Sequence, residues 1–352
     1  MKFHSIQIGN RPLMEVPAGD RAIRLAAVEC YPGHTLKKRF LRKLLNLGFR
    51  IGVLSRACPS RSFVLPALST SSFEGWLAHL KKVLGEKIIH PVIVWPGDPG
   101  RGRVYFYFLN REGIALAFGK LALDETNGQK IRNEAQVLGR FGKKEPRSFR
   151  VPKLLAEGEW GGLDYLITAC VPKIAQTINL GEETGMDTVL KELNSDEFRE
   201  TDGTPSWWQL VLHAAGDQPA FESAVRSAGE PGWNLCRIHG DLNRTNLLRA
   251  GKELWLIDWE QSCLDGPRRV DEVCLEVDRW WNQSRSHGED NRKAFLDGLF
   301  AKKEGGHRSE LILALAFLHS IHFSPATALV EVWRKEGVKV HPSGVSALPV
   351  GQ

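Results

Sequence analysis

Apolar residues return at intervals of three and four over Phe73, Trp76, Leu77, Leu80, Val83 and Leu84, which predicts an amphipathic helix over 72–84 with serines capping its start. Three β-rich runs follow, at 90–95 (HPVIVW), 104–109 (VYFYFL) and 114–123. A turn at 110–113 joins the last two, so two consecutive hairpins are expected. A long loop over 124–129 then leads to a helix at 130–141, with Ile131, Ala135, Leu138 and Phe141 on one face. Two further strands are expected at 153–157 and 164–169. The pattern predicts a five-stranded antiparallel sheet with one helix inserted after its third strand.

Beyond residue 172 the period becomes helical, at 183–193, 207–215, 270–284, 291–302 and 310–322, broken by short β-like stretches at 236–238 and 253–257. The fold class expected is α+β and bilobal, with a small sheet-rich N-lobe at 71–171 before a larger helical C-lobe at 172–340, flanked by an extension at 1–70 and a tail at 341–352. The longest uncharged window, 311–330, carries His319, Ser320, His322, Ser324 and Pro325. That polarity marks a buried helix and turn in place of a membrane span, with the two histidines packed in a core.

At 352 residues, 42% hydrophobic and 25% charged, the chain can bury a large core, which excludes a disordered tail, a collagen-like fibre or a disulfide miniprotein. Its six cysteines form no CxxC pair, so no zinc ribbon or thioredoxin-type site is encoded, and reduced thiols in a cytoplasmic protein are expected. The first twenty residues lack the pattern of a signal peptide. The net charge of +6 is uneven, because residues 1–70 hold 12 Lys or Arg against 3 Asp or Glu. Within that extension, residues 35–56 contain Lys37, Lys38, Arg39, Arg42, Lys43, Arg50 and Arg56, no acid, and Phe40, Leu41, Leu44, Leu45 and Leu47. Two readings stay open: a solvated basic face packed on the main body, or a helix in peripheral contact with an anionic membrane, at its inner face. No aromatic-basic series or zinc-finger spacing supports a nucleic-acid partner.

The chemistry concentrates in HGDLNRTN at 239–246 and IDWE at 257–260. Phosphoryl transfer needs a carboxylate to accept a hydroxyl proton, oxygen ligands for Mg²⁺ and a cation on the phosphates. Asp241 supplies the base and Asn246, five residues on, a neutral oxygen; Asp258 supplies an anionic one, a set that suits magnesium. Lys120 lies in the third expected strand, where a lysine among apolar neighbours needs an anion, and Glu134 on the next helix answers it. Gly97, Gly100 and Gly102, between the first two strands, could let backbone amides approach phosphate oxygens.

These elements, in this order, resemble the aminoglycoside phosphotransferase and choline kinase branch of the protein-kinase-like superfamily over residues 90–322. Gly240 stands where protein kinases usually have arginine, the 257–260 motif lacks their flanking Phe and Gly, and no Ala-Pro-Glu segment follows. A small-molecule kinase is therefore favoured over a protein kinase. The resemblance implies a protein-kinase-like bilobal fold and ATP with Mg²⁺ as cofactors. It makes Asp241 the catalytic base, Asn246 and Asp258 the metal ligands, Lys120 the phosphate contact and Glu134 its ion-pair partner. Thr168, Cys170 and the rest of 168–171 become the hinge beside adenine, and His239 braces the catalytic loop.

The implied partner is a small-molecule hydroxyl acceptor: an aminoglycoside, an amino alcohol such as choline, or a sugar, free or lipid-linked. Asp265, Asp271, Glu272, Glu276 and Asp278 could hold a polycation, and Trp280 and Trp281 could cage a quaternary ammonium, unless they form one solvated and one buried helix face. The alternative function is a non-catalytic kinase-like nucleotide-binding protein recruited to a membrane or biosynthetic complex.

Overall fold

The computed structural model describes residues 1–32, 36–63, 73–85, 90–96, 102–178, 185–194, 205, 207–216, 219–229, 235–284, 286–301 and 307–336. Two compact units partition the chain, Met1–Glu145 with Val151–Ala175 and Pro146–Arg150 with Gln176–Gln352.

The first unit is built on one antiparallel sheet. In chain order its strands are β1 (Lys2–Ile8), β2 (Arg11–Pro17), β3 (Ser60–Ser62), β4 (His90–Val94), β5 (Arg103–Leu109), β6 (Ala115–Ala122), β7 (Leu154–Trp160) and β8 (Leu163–Ala169), and they lie in the order β3-β1-β2-β4-β5-β6-β8-β7. The sheet therefore has eight strands where five were expected. The five expected strands are present, and β1–β3 extend them, because Met14 and Glu15 of β2 pair with Val94 and Ile93 of β4. Strands β1–β3 are thus part of the first unit's sheet and not a separate extension. They escape periodicity because β1 alternates only weakly and β2 carries a proline near each end, with a bulge between Ile6 and Gln7.

Alternation along the strands sends side chains to two covered faces. On one, helix α4 (Phe73–Leu84) sets Phe73, Trp76, Leu77 and Leu80 against Phe3, Ile93, Phe106, Phe108 and Ile167. Trp76 lies 4.7 Å from Phe106, centroid to centroid, a contact that adds to plain burial. On the other face, α1 (Arg21–Glu29) and α2 (Leu36–Arg50) cover Met14, Val16, Val92, Val94 and Leu109 with Ile23, Ala27, Leu45 and Phe49; a short helix, α3 (Val53–Ala57), follows them. Helix α5 spans Glu125–Lys143, so the expected loop at 124–129 is its first turn. The Asp124 side chain accepts from the Asn127 backbone N–H at 2.8 Å and starts the helix two turns before its first large apolar residue.

The second unit is mainly helical. Its helices are α6 (Met186–Leu193), α7 (Trp208–Ala215), α8 (Pro219–Gly229), α9 (Val270–Gln283), α10 (Glu289–Ala301), α11 (His307–Ser320) and α12 (Ser324–Glu336). Helices α7–α12 share one core that includes Phe221, Val273, Leu296, Leu315, Phe317, Leu329 and Trp333. Small ladders carry the loops between them: β10 (Leu235–Ile238) pairs with β13 (Cys263–Pro267), and β11 (Leu247–Ala250) pairs with β9 (Gln176–Thr177) and β12 (Glu253–Leu256).

Among the described residues no single helix is long and apolar enough to cross a membrane. The uncharged window divides into α11 and α12, bent by 116°. His319 is half-buried, packing on Phe221 and facing the Thr327 hydroxyl at 3.3 Å, whereas His322, expected in the core beside it, is exposed. None of the six cysteines is in a disulfide.

Because Phe49 is 1% exposed beneath the sheet, Phe49→Ala should cost about 3–5 kcal/mol, read as a lower denaturation midpoint. An unchanged midpoint would mean that residues 1–62 do not share the first unit's core.

Candidate active site

In the first unit, β6 sits between β5 and β8, with Lys120 opposite Tyr105 and Leu166. Gly119 and Leu121 point to the α4 side, which leaves Lys120 on the other face. There its ammonium donates to the Glu134 carboxylate of α5 at 2.5 Å, with both residues buried. Two opposite charges out of water hold only while they hold each other, so this pair is costly to build and costlier to break.

Of the glycines, Gly97 and Gly100 lie outside the described residues. Gly102 has a packing reason for its lack of a side chain. At φ +51° a Cβ there would stand 1.7 Å from Asp124 Oδ2 and 2.6 Å from Asn127 Nδ2, inside the cap of α5. Thr168 is buried on β8 and pairs with Phe118 and Leu154. Past it, the Ala169 N–H donates to Lys153 O at 2.8 Å and the Cys170 N–H to Leu116 O at 3.2 Å. The Cys170 thiol is pushed up to about 12 by burial, so it stays protonated at neutral pH.

In the second unit, β10 ends at Ile238 and delivers His239, Gly240 and Asp241. Asp241 is fixed from both sides: its Oδ1 accepts from Asn243 Nδ2 at 2.8 Å and its Oδ2 from Asn246 Nδ2 at 3.1 Å. Asn246 Nδ2 also donates to Asp241 O at 2.9 Å, which turns the amide oxygen of Asn246 the other way. Asn243 in turn accepts from the Thr245 N–H at 2.8 Å and its hydroxyl at 2.6 Å. Sequence reading passed over Asn243, although it stands inside the same eight-residue motif, between the two residues it serves.

Asp258 is tied to this loop through the backbone. The Ile257 N–H donates to Asn246 O at 3.0 Å, extending the β11–β12 ladder by one step. Asp258 itself is left-handed, at φ 66° and ψ 64°, a conformation that costs a non-glycine residue about 1 kcal/mol. Its neighbours hold it there. Trp259 is fully buried, donates Nε1–H to Leu256 O at 3.0 Å and stacks on Phe149.

His239 is also fully buried, with its ring 4.4 Å from that of Trp259. Its Nε2 lies 3.0 Å from Ile257 O, which can only accept, so Nε2 carries the proton and Nδ1 is left to accept from the Asp241 N–H at 3.4 Å. His239 thus spans from the residue before Asp258 to the backbone of Asp241.

Gly240 explains its own identity. At φ +85° a Cβ would fall 2.2 Å from Gln261 O, so neither arginine nor alanine fits there.

Two acids on α9 hold the loop from beneath. Asp271, 1% exposed, accepts from the His239 N–H at 2.8 Å and the Gly240 N–H at 3.0 Å. Asp278, two turns later and 7% exposed, accepts from the Arg244 N–H at 3.0 Å and Asn282 Nδ2 at 2.8 Å. These acids, candidates for holding a polycationic acceptor, are instead buried anchors of the 239–246 loop. The signal was present, because 271, 274 and 278 share the helix face that also carries the buried Cys274. Of the others, Glu272 pairs with Arg269 and Asp265 accepts from the Cys263 thiol. The tryptophans do not form a cage: Trp280 stacks on Phe295 at 4.4 Å and Trp281 on His287 at 4.0 Å.

Burial first, and then the negative charge of Asp258, pushes the Asp241 carboxyl up to about 7, with Glu260 adding to the effect and the two asparagine donors opposing it. Acids gathered in this way against their own repulsion fit a cation. The donor set, one carboxylate from Asp258 and the oriented amide oxygen of Asn246, suits a hard divalent ion.

No family model matches the chain, and no curated protein matches it closely enough to count as a relative. Solved structures are similar to it. Aminoglycoside-3'-phosphotransferase of type VIII is 18% identical over 64% of this chain and 92% of its own, with a TM-score of 0.43. Spectinomycin phosphotransferase, in complex with ADP and spectinomycin, is 11% identical over 75% and 95%, with a TM-score of 0.45. Amicoumacin kinase in complex with AMP-PNP, Ca²⁺ and its ligand is 11% identical over 75% and 93%, with a TM-score of 0.44.

Burial raises the Asp271 carboxyl from the ordinary 3.8 to about 6. Below pH 3.8 it is protonated folded or unfolded, and above 6 it is ionised in both states; between them the folded state alone holds the proton. Its contribution to stability therefore falls as pH rises through that window. Denaturation of the wild type and Asp271→Asn across pH 4 to 7 should give a difference that shrinks toward pH 6 and is flat above it. Parallel curves would place Asp271 in contact with water.

Proposed function

We propose that this chain is an ATP- and Mg²⁺-dependent phosphotransferase that moves the γ-phosphate onto a hydroxyl of a small molecule. The observation that carries this reading is the loop system of the second unit, in which Asp241 is gripped by two asparagines while backbone hydrogen bonds tie it to Asp258. The buried Lys120–Glu134 pair of the first unit supports it, since a lysine held on a carboxylate in a dry place is pre-positioned for phosphate oxygens.

Asp258 and the amide oxygen of Asn246 would hold the metal, and Lys120 would meet the α- and β-phosphates. Residues 168–171 would lie beside the adenine, although Cys170 has already spent its N–H on Leu116. When bound, Mg²⁺ supplies charge neutralisation on the phosphates. Asp241 then accepts the hydroxyl proton. Its two asparagine donors fix which oxygen lone pairs are left for that proton, and its value, raised to about 7 by burial and Asp258, would fall beside a cation, leaving it ionised. His239, Asp271 and Asp278 keep the loop in this conformation without touching the acceptor. With Asp271 and Asp278 committed to the loop and Trp280 and Trp281 to stacking, the acceptor class is best described as a small hydroxylated molecule of the aminoglycoside, amino alcohol or sugar type.

The test is turnover of Mg²⁺-ATP against a panel of such acceptors. Asp241→Asn should lower the rate by about 10²–10⁴-fold while nucleotide affinity stays within a few-fold of wild type. Retained turnover in Asp241→Asn would remove that residue from the role. Nucleotide bound by the wild type and passed to no acceptor would favour a non-catalytic binding protein.

A further inference from the structure

Helix α2 carries two apolar faces, and the first unit uses one. Leu45 and Phe49 are buried with Ile23, Val28 and Val92 on the sheet, while Arg42 and Asn46 reach Glu29 at 3.7 and 3.0 Å along the helix border. Elsewhere on the helix Leu36, Phe40, Leu44 and Leu47 are 81%, 63%, 48% and 53% exposed, and Ile51, just past its end, is 62% exposed. At 3.6 residues per turn these five fall within an arc of about 80°, centred roughly 140° around the helix from Leu45. Val53, at the start of α3, is also exposed, at 55%. Single exposed leucines are ordinary on a protein surface, whereas a continuous strip of this kind marks an interaction site.

The charge beside the strip has one sign. Lys43 and Arg50 lie along one border and Lys37 along the other, all three exposed. No Asp or Glu occurs between Glu29 and Glu74. The occupant must therefore offer an apolar interior and an anionic rim.

We propose that this face of α2 is a docking surface for an anionic lipid bilayer, with Leu36, Phe40, Leu44, Leu47 and Ile51 entering the acyl boundary and Lys37, Lys43 and Arg50 on the headgroup phosphates. Two copies of the chain pairing through this face would bring like charges together. Nucleic acid would meet leucines with no hydrogen bond to give and a single aromatic ring. One face of the helix packs on the body and the other is presented outward. The proposal goes beyond the phosphotransferase reading and stands independently of it.

The experiment is co-sedimentation of the full chain with phosphatidylcholine vesicles, alone or with about one third phosphatidylglycerol. Binding to the anionic vesicles should exceed binding to neutral ones about tenfold and weaken as salt rises from 0.05 to about 0.5 M. Phe40→Ser with Leu44→Ser and Leu47→Ser should lower it about tenfold with an unchanged melting temperature, because all three side chains are exposed. Lys43→Gln with Arg50→Gln should remove most of the preference for anionic lipid.

Equal binding to both vesicle types would overturn the proposal, as would binding untouched by the triple serine variant. So would finding that the strip mediates self-association or capture of an acidic protein or nucleic acid, lost in the triple variant, with no vesicle binding in the wild type.

Discussion

Asp241 and Asp258 repel one another, and the loop holds them together regardless. The tether is a backbone bond from Ile257 N–H to Asn246 O, with His239 closing the other side by bonding Ile257 O and facing the Asp241 N–H. Burial first, and then that repulsion, lifts Asp241 to about 7. Natural cores do not gather carboxylates in this way without a compensating charge, and the means by which this one is rigidified all serve the same few residues.

That rigidity has a layered origin. The two asparagines fix the carboxylate, the histidine and Trp259 fix the backbone on either side, and α9 holds the whole loop by two buried acids one heptad apart. Gly240 is the concession that lets the chain pass Gln261 O closely enough for this to occur. The first unit shows the same economy in another form, where strand β6 and helix α5 seat one lysine against one glutamate in a dry setting. Each unit thus presents charge that burial has made demanding.

Much of this was legible from residue order. Strands β4–β8 and helices α4, α9 and α11 announce themselves by period, and Asp241, Asn246, Asp258, Lys120 and Glu134 by type and spacing. What escaped has physical reasons. The β1–β2 hairpin hides behind prolines, a bulge and a charge excess that invites reading residues 1–70 as an appendage. The start of α5 depends on a cap at Asp124 and not on apolar spacing. Asp271 and Asp278 look like ligand-binding acids because composition registers their charge and not their burial, and only the helix face they share with Cys274 tells otherwise. At Gly102 the sequence does not show the packing reason for a glycine, which is that the Asp124 side chain stands where its Cβ would be.

Assembly of the acids around Asp241 for a cation makes the titration of that carboxyl depend on bound metal. Site-resolved carbon-13 NMR of aspartate carboxyls reads this directly, by following the Asp241 titration with and without Mg²⁺ and a non-hydrolysable ATP analogue. Without them the carboxyl should titrate near 7, and with them the midpoint should move down by a unit or more. A midpoint already in the ordinary aspartate range, or one that the metal-nucleotide leaves in place, would contradict it.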